Sequence, residues 1–274
     1  MSNEKNILRL FSHPWRFYSI VTIGCFALWF MAAWLSHLPQ NSYWPLITIL
    51  QLLGLIFPFC VSCLMVRKNT LLKSDFYSRL TLLSTPQLKA CFIAIVIMFG
   101  SILGATVISL FLGYSSSQFL ISKHASFSAG ILSGWAALLL APIIEELSWH
   151  SYGTDCLRRS FCMFWTSIIF AVYWVFWHMP LGFIVNYYQA NLVEEGWQYS
   201  LNFAVSLLPF VLIMNWLYYR AGRSIIVAII FHLAASIANE LFQTNPDTKI
   251  IQTGLLILLT AWLLYRYPKE FFQK

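Results

Sequence analysis

Charge is what this sequence has least of: only 10% of its 274 residues are Asp, Glu, Lys or Arg, where soluble domains carry about 25%. With 59% hydrophobic and 18% aromatic residues, there is too little polar surface to cover a water-facing globule, so lipid must solvate much of the exterior. Low-complexity tracts and internal repeats are missing. No polar stretch is long enough for a separate soluble domain; the longest is 244–249. Disordered, collagen-like and disulfide-scaffold classes fail on the same composition. The six cysteines (Cys25, Cys60, Cys63, Cys91, Cys156 and Cys162) lie in or beside apolar runs, so structural disulfides are not expected. Cys60-x-x-Cys63 has redox spacing but no second pair, and packing explains it. The net charge of +7 could suggest nucleic acid, but the basic residues form no single patch, so no nucleic-acid partner is expected.

What is present is a series of apolar runs. Windows of about 20 residues place membrane segments near Phe17–Leu35, Trp44–Val66, Ala90–Gly113, Phe127–Tyr152, Ile168–Tyr188, Phe203–Tyr219, Ser224–Phe242 and Ile250–Tyr265. Pro45, Pro58, Pro142, Pro180 and Pro209 fall inside these runs and are read as kinks, which membrane helices tolerate. Gly100-x-x-x-Gly104 and Gly130-x-x-x-Gly134 have the spacing for close helix approach. Of the 17 basic residues, 15 fall in the N-terminus, the C-terminus and the second, fourth and sixth connections; only Lys123 and Lys249 fall in the others. By the positive-inside rule both termini are cytoplasmic. The expected fold is an all-α polytopic bundle of about eight transmembrane helices, an integral multi-pass protein of a bacterial cytoplasmic membrane. The first segment follows basic residues but is longer than a signal-peptide core, and is read as a retained anchor.

An ionisable residue within the bilayer costs roughly 2.5–3.5 kcal/mol on insertion scales, so those present need a reason. Segment four carries Glu145, Glu146 and His150; segment five carries His178; segment seven carries His232, Ser236, Asn239 and Glu240. No span holds Lys or Arg, which leaves the two carboxylates a histidine, a shared proton or a metal ion as partner. Glu146 and His150, four apart, share a helix face, while Glu145 lies about 100° round and can face a second helix. His232, Ser236 and Asn239 form one polar stripe that must face the interior. His178 falls mid-window only if its helix starts near Ile168; a start at Phe161 would move it toward the outer face and disperse the site.

A carboxylate beside two imidazoles in a low-dielectric cavity suits the deprotonation of water, with imidazole holding the water or stabilising an oxyanion. Peptide-bond hydrolysis fits. Glu145, His178 and His232 are equally plausible ligands for zinc, and the sequence leaves both chemistries open. A bis-histidine haem protein or proton-coupled carrier is a further class, against which the adjacent carboxylates speak. Two other protease chemistries lack their motifs: His-Glu-x-x-His is absent, and Ile131-Leu132-Ser133-Gly134 lacks the first glycine of Gly-x-Ser-Gly.

These segments resemble the CPBP family of intramembrane proteases, which includes CAAX prenyl endopeptidases and bacteriocin-processing or immunity (Abi-like) proteins. Its motifs, Glu-Glu-x-x-x-Arg, Phe-x-x-x-His and His-x-x-x-Asn, read here as Glu145-Glu146-Leu147-Ser148-Trp149-His150, Trp174-Val175-Phe176-Trp177-His178 and His232-Leu233-Ala234-Ala235-Ser236. The resemblance covers Phe127–Phe242. It divides the chain into N-terminal helices (1–126), a catalytic bundle (127–242) and a final helix with its tail (243–274). It implies that Glu145 activates water with His178, that His232 and Ser236 stabilise the oxyanion, and that a membrane-associated peptide or protein is cleaved. Three positions depart from the pattern: His150 for Arg, Trp174 for Phe and Ser236 for Asn. Asn239 shares the stripe but lies about 10 Å along the axis from His232. The departures at His150 and Ser236 leave a second reading, a non-catalytic immunity or peptide-binding membrane protein.

Overall fold

The computed structural model describes residues 6–39, 43–81, 84–127 and 130–274. Its regular elements are helices, joined by turns, and an isolated antiparallel bridge links Ile121 and Phe242. The long elements are α1 (Pro14–Ser36), α2 (Trp44–Val66), α4 (Thr85–Phe111), α5 (Gly134–Ser148), α7 (Met163–His178), α9 (Trp197–Arg220), α10 (Ile225–Leu241) and α11 (Pro246–Arg266). Short helices α3 (Thr70–Ser78), α6 (Thr154–Arg158), α8 (Tyr188–Glu195) and α12 (Pro268–Phe272) decorate the ends. Among the described residues, six helices are long and apolar enough to cross a bilayer, with α7 counted through Phe183. The other two windows correspond to α10, whose 17 residues rise about 25 Å, and to α5, which runs through a π-turn (Trp149–Gly153) into α6. The chain is an integral multi-pass membrane protein.

Burial ranks the helices. Only a third or less of the most apolar stretch is buried in α1, α2, α4 and α11, against half in α7 and α9. The exposed side chains of the outer helices are large and apolar, Phe92, Phe111 and Leu258 among them, as a lipid-facing surface requires. α7 and α9 are therefore central. α10 packs against α4, α5 and α9, so the site-bearing elements form the middle of the bundle.

Several boundaries differ from the sequence windows. The fourth helix begins at Gly134, not Phe127: Gly130 turns in the left-handed region (φ 68°), and Ser133 caps the helix by accepting from Ala136 N at 3.1 Å. Ser128 and Ala129 of that window lie outside the described residues. α7 begins at Met163 and ends at His178, where the chain tightens into a 3₁₀ turn (Met179–Phe183). Pro180 thus marks a helix end and Pro45 a helix start, where its missing N–H costs nothing; Pro58, Pro142 and Pro209 are interior. Of the two expected glycine pairs, Gly130 and Gly134 do sit at close approaches, against Thr48 and against Ala125 and the Phe127 carbonyl, whereas Gly100 and Gly104 do not. A methyl group on Gly100 would meet nothing within 4 Å, whereas one on Gly24 or Gly54 would strike Phe57 or Trp29 across the α1–α2 contact.

The alternation of connections is visible in space. At one end, Arg79 and Arg223, from the second and sixth connections, close on Asp155 of α6, and Arg220 pairs with Glu270 of α12. At the other end, Tyr114 and Tyr199 bind Asp247, and Asn191 donates to the Ser126 carbonyl. Arg79 and Arg223, counted above among the basic residues of the second and sixth connections, are both buried, and Lys5 lies outside the described residues. All six cysteines are free thiols.

Candidate active site

Three central helices deliver the polar side chains. On α5, the 100° step between adjacent residues sends Glu145 toward α7, where its Oε2 accepts from the Trp174 indole N–H at 3.0 Å. Glu146 turns the other way. Its Oε2 lies 2.5 Å from His150 Nδ1 and its Oε1 lies 2.7 Å from His232 Nδ1 of α10. Both carboxylates are buried. Glu146 therefore has two imidazole partners, which satisfy its charge in a span without Lys or Arg.

The π-turn after α5 shapes this arrangement. A π-turn breaks the regular i→i−4 ladder and leaves backbone carbonyls available. Here Arg79 Nη1 donates to the His150 carbonyl at 2.6 Å and Nη2 to that of Ser151 at 3.0 Å. The turn keeps the His150 ring one helical turn from Glu146, on the same face. Beyond it, His150 Nε2 lies 2.9 Å from Asn215 Oδ1 of α9, and Asn215 Nδ2 donates to Ser167 Oγ of α7 at 2.9 Å.

Trp174 is the hub. Its indole N–H holds Glu145, its backbone carbonyl accepts from His178 Nδ1 at 2.8 Å, and its ring stands edge-on to His232 with centroids 5.3 Å apart. A carbonyl can only accept, so the His178 Nδ1 carries hydrogen and the neutral ring keeps its lone pair on Nε2. Trp177 and Phe203 close on the same imidazole.

Glu145, Trp174, His178, His232, Ser236 and Asn239 all line one cavity of about 430 Å³, within the size range of small-ligand and cofactor pockets. His178 sits at its helix end, as the sequence reading feared for a helix starting near Phe161, yet the site does not disperse. Glu145 lies near the far end of α5 and His232 midway along α10, and the cavity reaches both from the end of the bundle where α5 begins and α10 finishes. Its walls near the opening come from the odd-numbered connections and their flanks: Ser126, Tyr188, Glu195, Thr244 and Lys249. Lys249 pairs with Glu240 at 3.5 Å, and Glu195 is an exposed part of the wall. Asn239 donates to its own helix at the Ala235 carbonyl, 2.9 Å away. Among the described residues, no group of three or more His, Cys, Asp and Glu side chains is arranged to hold a metal ion.

Two participants escaped the sequence reading. Trp174 counted only as a departure from phenylalanine, although its indole N–H was the visible difference. Asn215 is a single amide in the apolar run Pro209–Tyr219, and its complete burial is the signal that a polar partner had to exist.

Comparison with known proteins agrees with this architecture. Residues 127–238 match the family described as type II CAAX prenyl endopeptidase Rce1-like. The chain is 36% identical over 264 residues, 96% of its length and 97% of the relative's, to a protein named CAAX prenyl protease 2 from Methanococcus maripaludis. By its near full-length relative and by the helices that match, the chain belongs to the CPBP family of intramembrane endopeptidases, in which the Rce1-like CAAX prenyl endopeptidases fall.

Proposed function

We propose that the protein hydrolyses a peptide bond of a membrane-tethered substrate with a water molecule activated by Glu145. The observation that supports this most is the meeting of Glu145, His178 and His232, from three helices, on one cavity around Trp174. Glu145 takes the proton of a water that His178 Nε2 holds by accepting its second hydrogen. The water oxygen attacks the carbonyl carbon, the carbonyl becomes an oxyanion, and Glu145 returns the proton to the departing amine. The Ser236 hydroxyl, one turn beyond His232, is the neutral donor available to the oxyanion. His232 gives Nδ1–H to Glu146 and so assists through Nε2 only when that atom also carries a proton.

The curated relative is named for prenylated C-a-a-X tails, in which the lipid is carried on cysteine near the C-terminus. A tail of that type is the substrate class proposed here, its lipid in the bilayer and its peptide in the cavity. Zinc, the alternative raised by the sequence, is given no step and is decided by the test.

The test is cleavage of a quenched fluorogenic prenylated C-a-a-X peptide by purified protein in lipid nanodiscs. Glu145→Gln is expected to abolish turnover while insertion and melting are retained; turnover within tenfold of the parent would refute the mechanism. Protection by a Glu145→Gln chain against a membrane-active peptide would favour the binding-only reading. Turnover should persist in phenanthroline, and a loss reversed by added zinc would restore the metal reading.

A further inference from the structure

The buried amide of Asn215 lies outside every family motif, and proton accounting gives it a definite task. Ser167 Oγ donates its one hydrogen to the Met163 carbonyl at 2.8 Å. Toward Asn215, 2.9 Å away, the hydroxyl can only accept, so the atom facing it must be the NH₂ of the amide. The orientation of the amide is thereby settled, and the oxygen faces His150 Nε2 at 2.9 Å. An amide oxygen is an acceptor. His150 Nε2 must carry a hydrogen.

That requirement travels to the carboxylates. With Nε2 protonated, the 2.5 Å contact between His150 Nδ1 and Glu146 Oε2 has two descriptions. Either His150 is an imidazolium facing a carboxylate, or a neutral His150 accepts from a protonated Glu146. The pair is neutral overall in both. Without the amide oxygen, a neutral His150 could place its hydrogen on Nδ1 instead and leave Glu146 a net negative charge beside Glu145. Two adjacent carboxylates in a low dielectric oppose each other's ionisation, and a base must be ionised to act.

We propose that Asn215, oriented by Ser167, is a positioning residue that locks hydrogen onto His150 Nε2. The Glu146–His150 pair is thereby neutral, the site's negative charge belongs to Glu145, and His232 Nδ1–H points at Glu146. The inference rests on Glu145 as the base, but part of its test does not depend on catalysis.

In protein carrying ¹⁵N-labelled histidine, with His150 identified by difference from His150→Arg, Nε2 of His150 is expected to show the protonated signature at neutral pH. An unprotonated Nε2 would overturn the inference whatever the protein cleaves. For turnover of the prenylated peptide, Asn215→Ala should lower kcat at least tenfold with KM unchanged, and Ser167→Ala should lower it less. Arginine donates from every nitrogen and has no tautomer to fix, and the shortened residue 215 leaves it room. The double variant His150→Arg/Asn215→Ala should therefore regain most of the lost kcat. If Asn215→Ala is as active as the parent, or if the double variant folds and is no faster than Asn215→Ala, the assignment fails. Retained turnover in Glu145→Gln together with a protonated Nε2 would refute Glu145 as the base while leaving the tautomer assignment of His150 standing.

Discussion

Trp174 shows how one side chain can organise a site through three different atoms. Its indole N–H, its carbonyl and its ring edge touch Glu145, His178 and His232 in turn. A hydrogen bond to a charged group contributes about 1.5–3 kcal/mol, and each 1.4 kcal/mol is tenfold in rate. Trp174→Phe keeps the ring and carbonyl but removes the N–H. It is expected to lower kcat about tenfold or more with little change in melting temperature, as steady-state kinetics and a thermal scan would read. An unchanged kcat would mean that the ring alone positions the base. At this scale the sequence was legible where two signals coincided. Glu145, Glu146, His178 and His232 stood out because each is ionisable inside an apolar run. Asn215 did not, because one uncharged amide in a membrane helix is inexpensive and common.

The π-turn is the element on which the site depends, and it is held from outside the bilayer core. Arg79 caps the carbonyls of His150 and Ser151, and its guanidinium is anchored by Asp155 at 3.0 Å and Asp75 at 2.9 Å. Arg223 spans the same two aspartates, so two cations meet two anions and the cluster is neutral. Removing one member leaves an uncompensated buried charge, which costs about 3–5 kcal/mol. Arg79→Met should lower stability by that amount and, by loosening the turn, lower kcat as well; unfolding of the detergent-solubilised protein measures the first. The pH dependence has a defined sign. Burial alone would raise the Asp155 carboxyl, but Arg223 and Arg79 outweigh it and hold it below the usual carboxylate range. A carboxyl lowered in this way contributes stability that is complete above the unfolded value of about 3.9 and is lost as pH falls through the folded value. The melting temperature should therefore owe no change to this group between about pH 8 and 5, and should fall below about pH 4. Substituting Asp155 by Asn should flatten that acid limb; an unaltered limb would remove the cluster from the account. Element boundaries were the part of the fold least readable in advance. Hydropathy marks where apolar residues continue, but Gly130, Ser133 and Pro180 decide where helices start and stop.

For the whole molecule, the alternation of basic residues carried the most information, because 15 of 17 lysines and arginines fall on one side and the structure gathers those connections at one end. Sequence could not show that two of the arginines turn inward, since a charge count records position and not direction. The cavity opens at the opposite end, among Ser126, Tyr188, Glu195 and Lys249. If the charge rule sets both termini in the cytoplasm, that opening should face away from it. In a cysteine-free background, Ser126→Cys should react with a membrane-impermeant maleimide on intact cells, whereas Lys269→Cys should react only after permeabilisation. The reverse pattern would invert the orientation.

The ion cluster beneath the site also has an electrical meaning. The cavity meets Glu145, His178 and His232 from one end of the bundle, while buried Asp155, Arg79 and Arg223 and the ring of Phe11, 5.4–5.7 Å from both guanidiniums, form a floor at the other. A continuous file of water there would let protons run down the transmembrane voltage, in which each elementary charge gains about 2.3 kcal/mol per 100 mV. Such a floor would let a hydrolase sit in an energised membrane without discharging it.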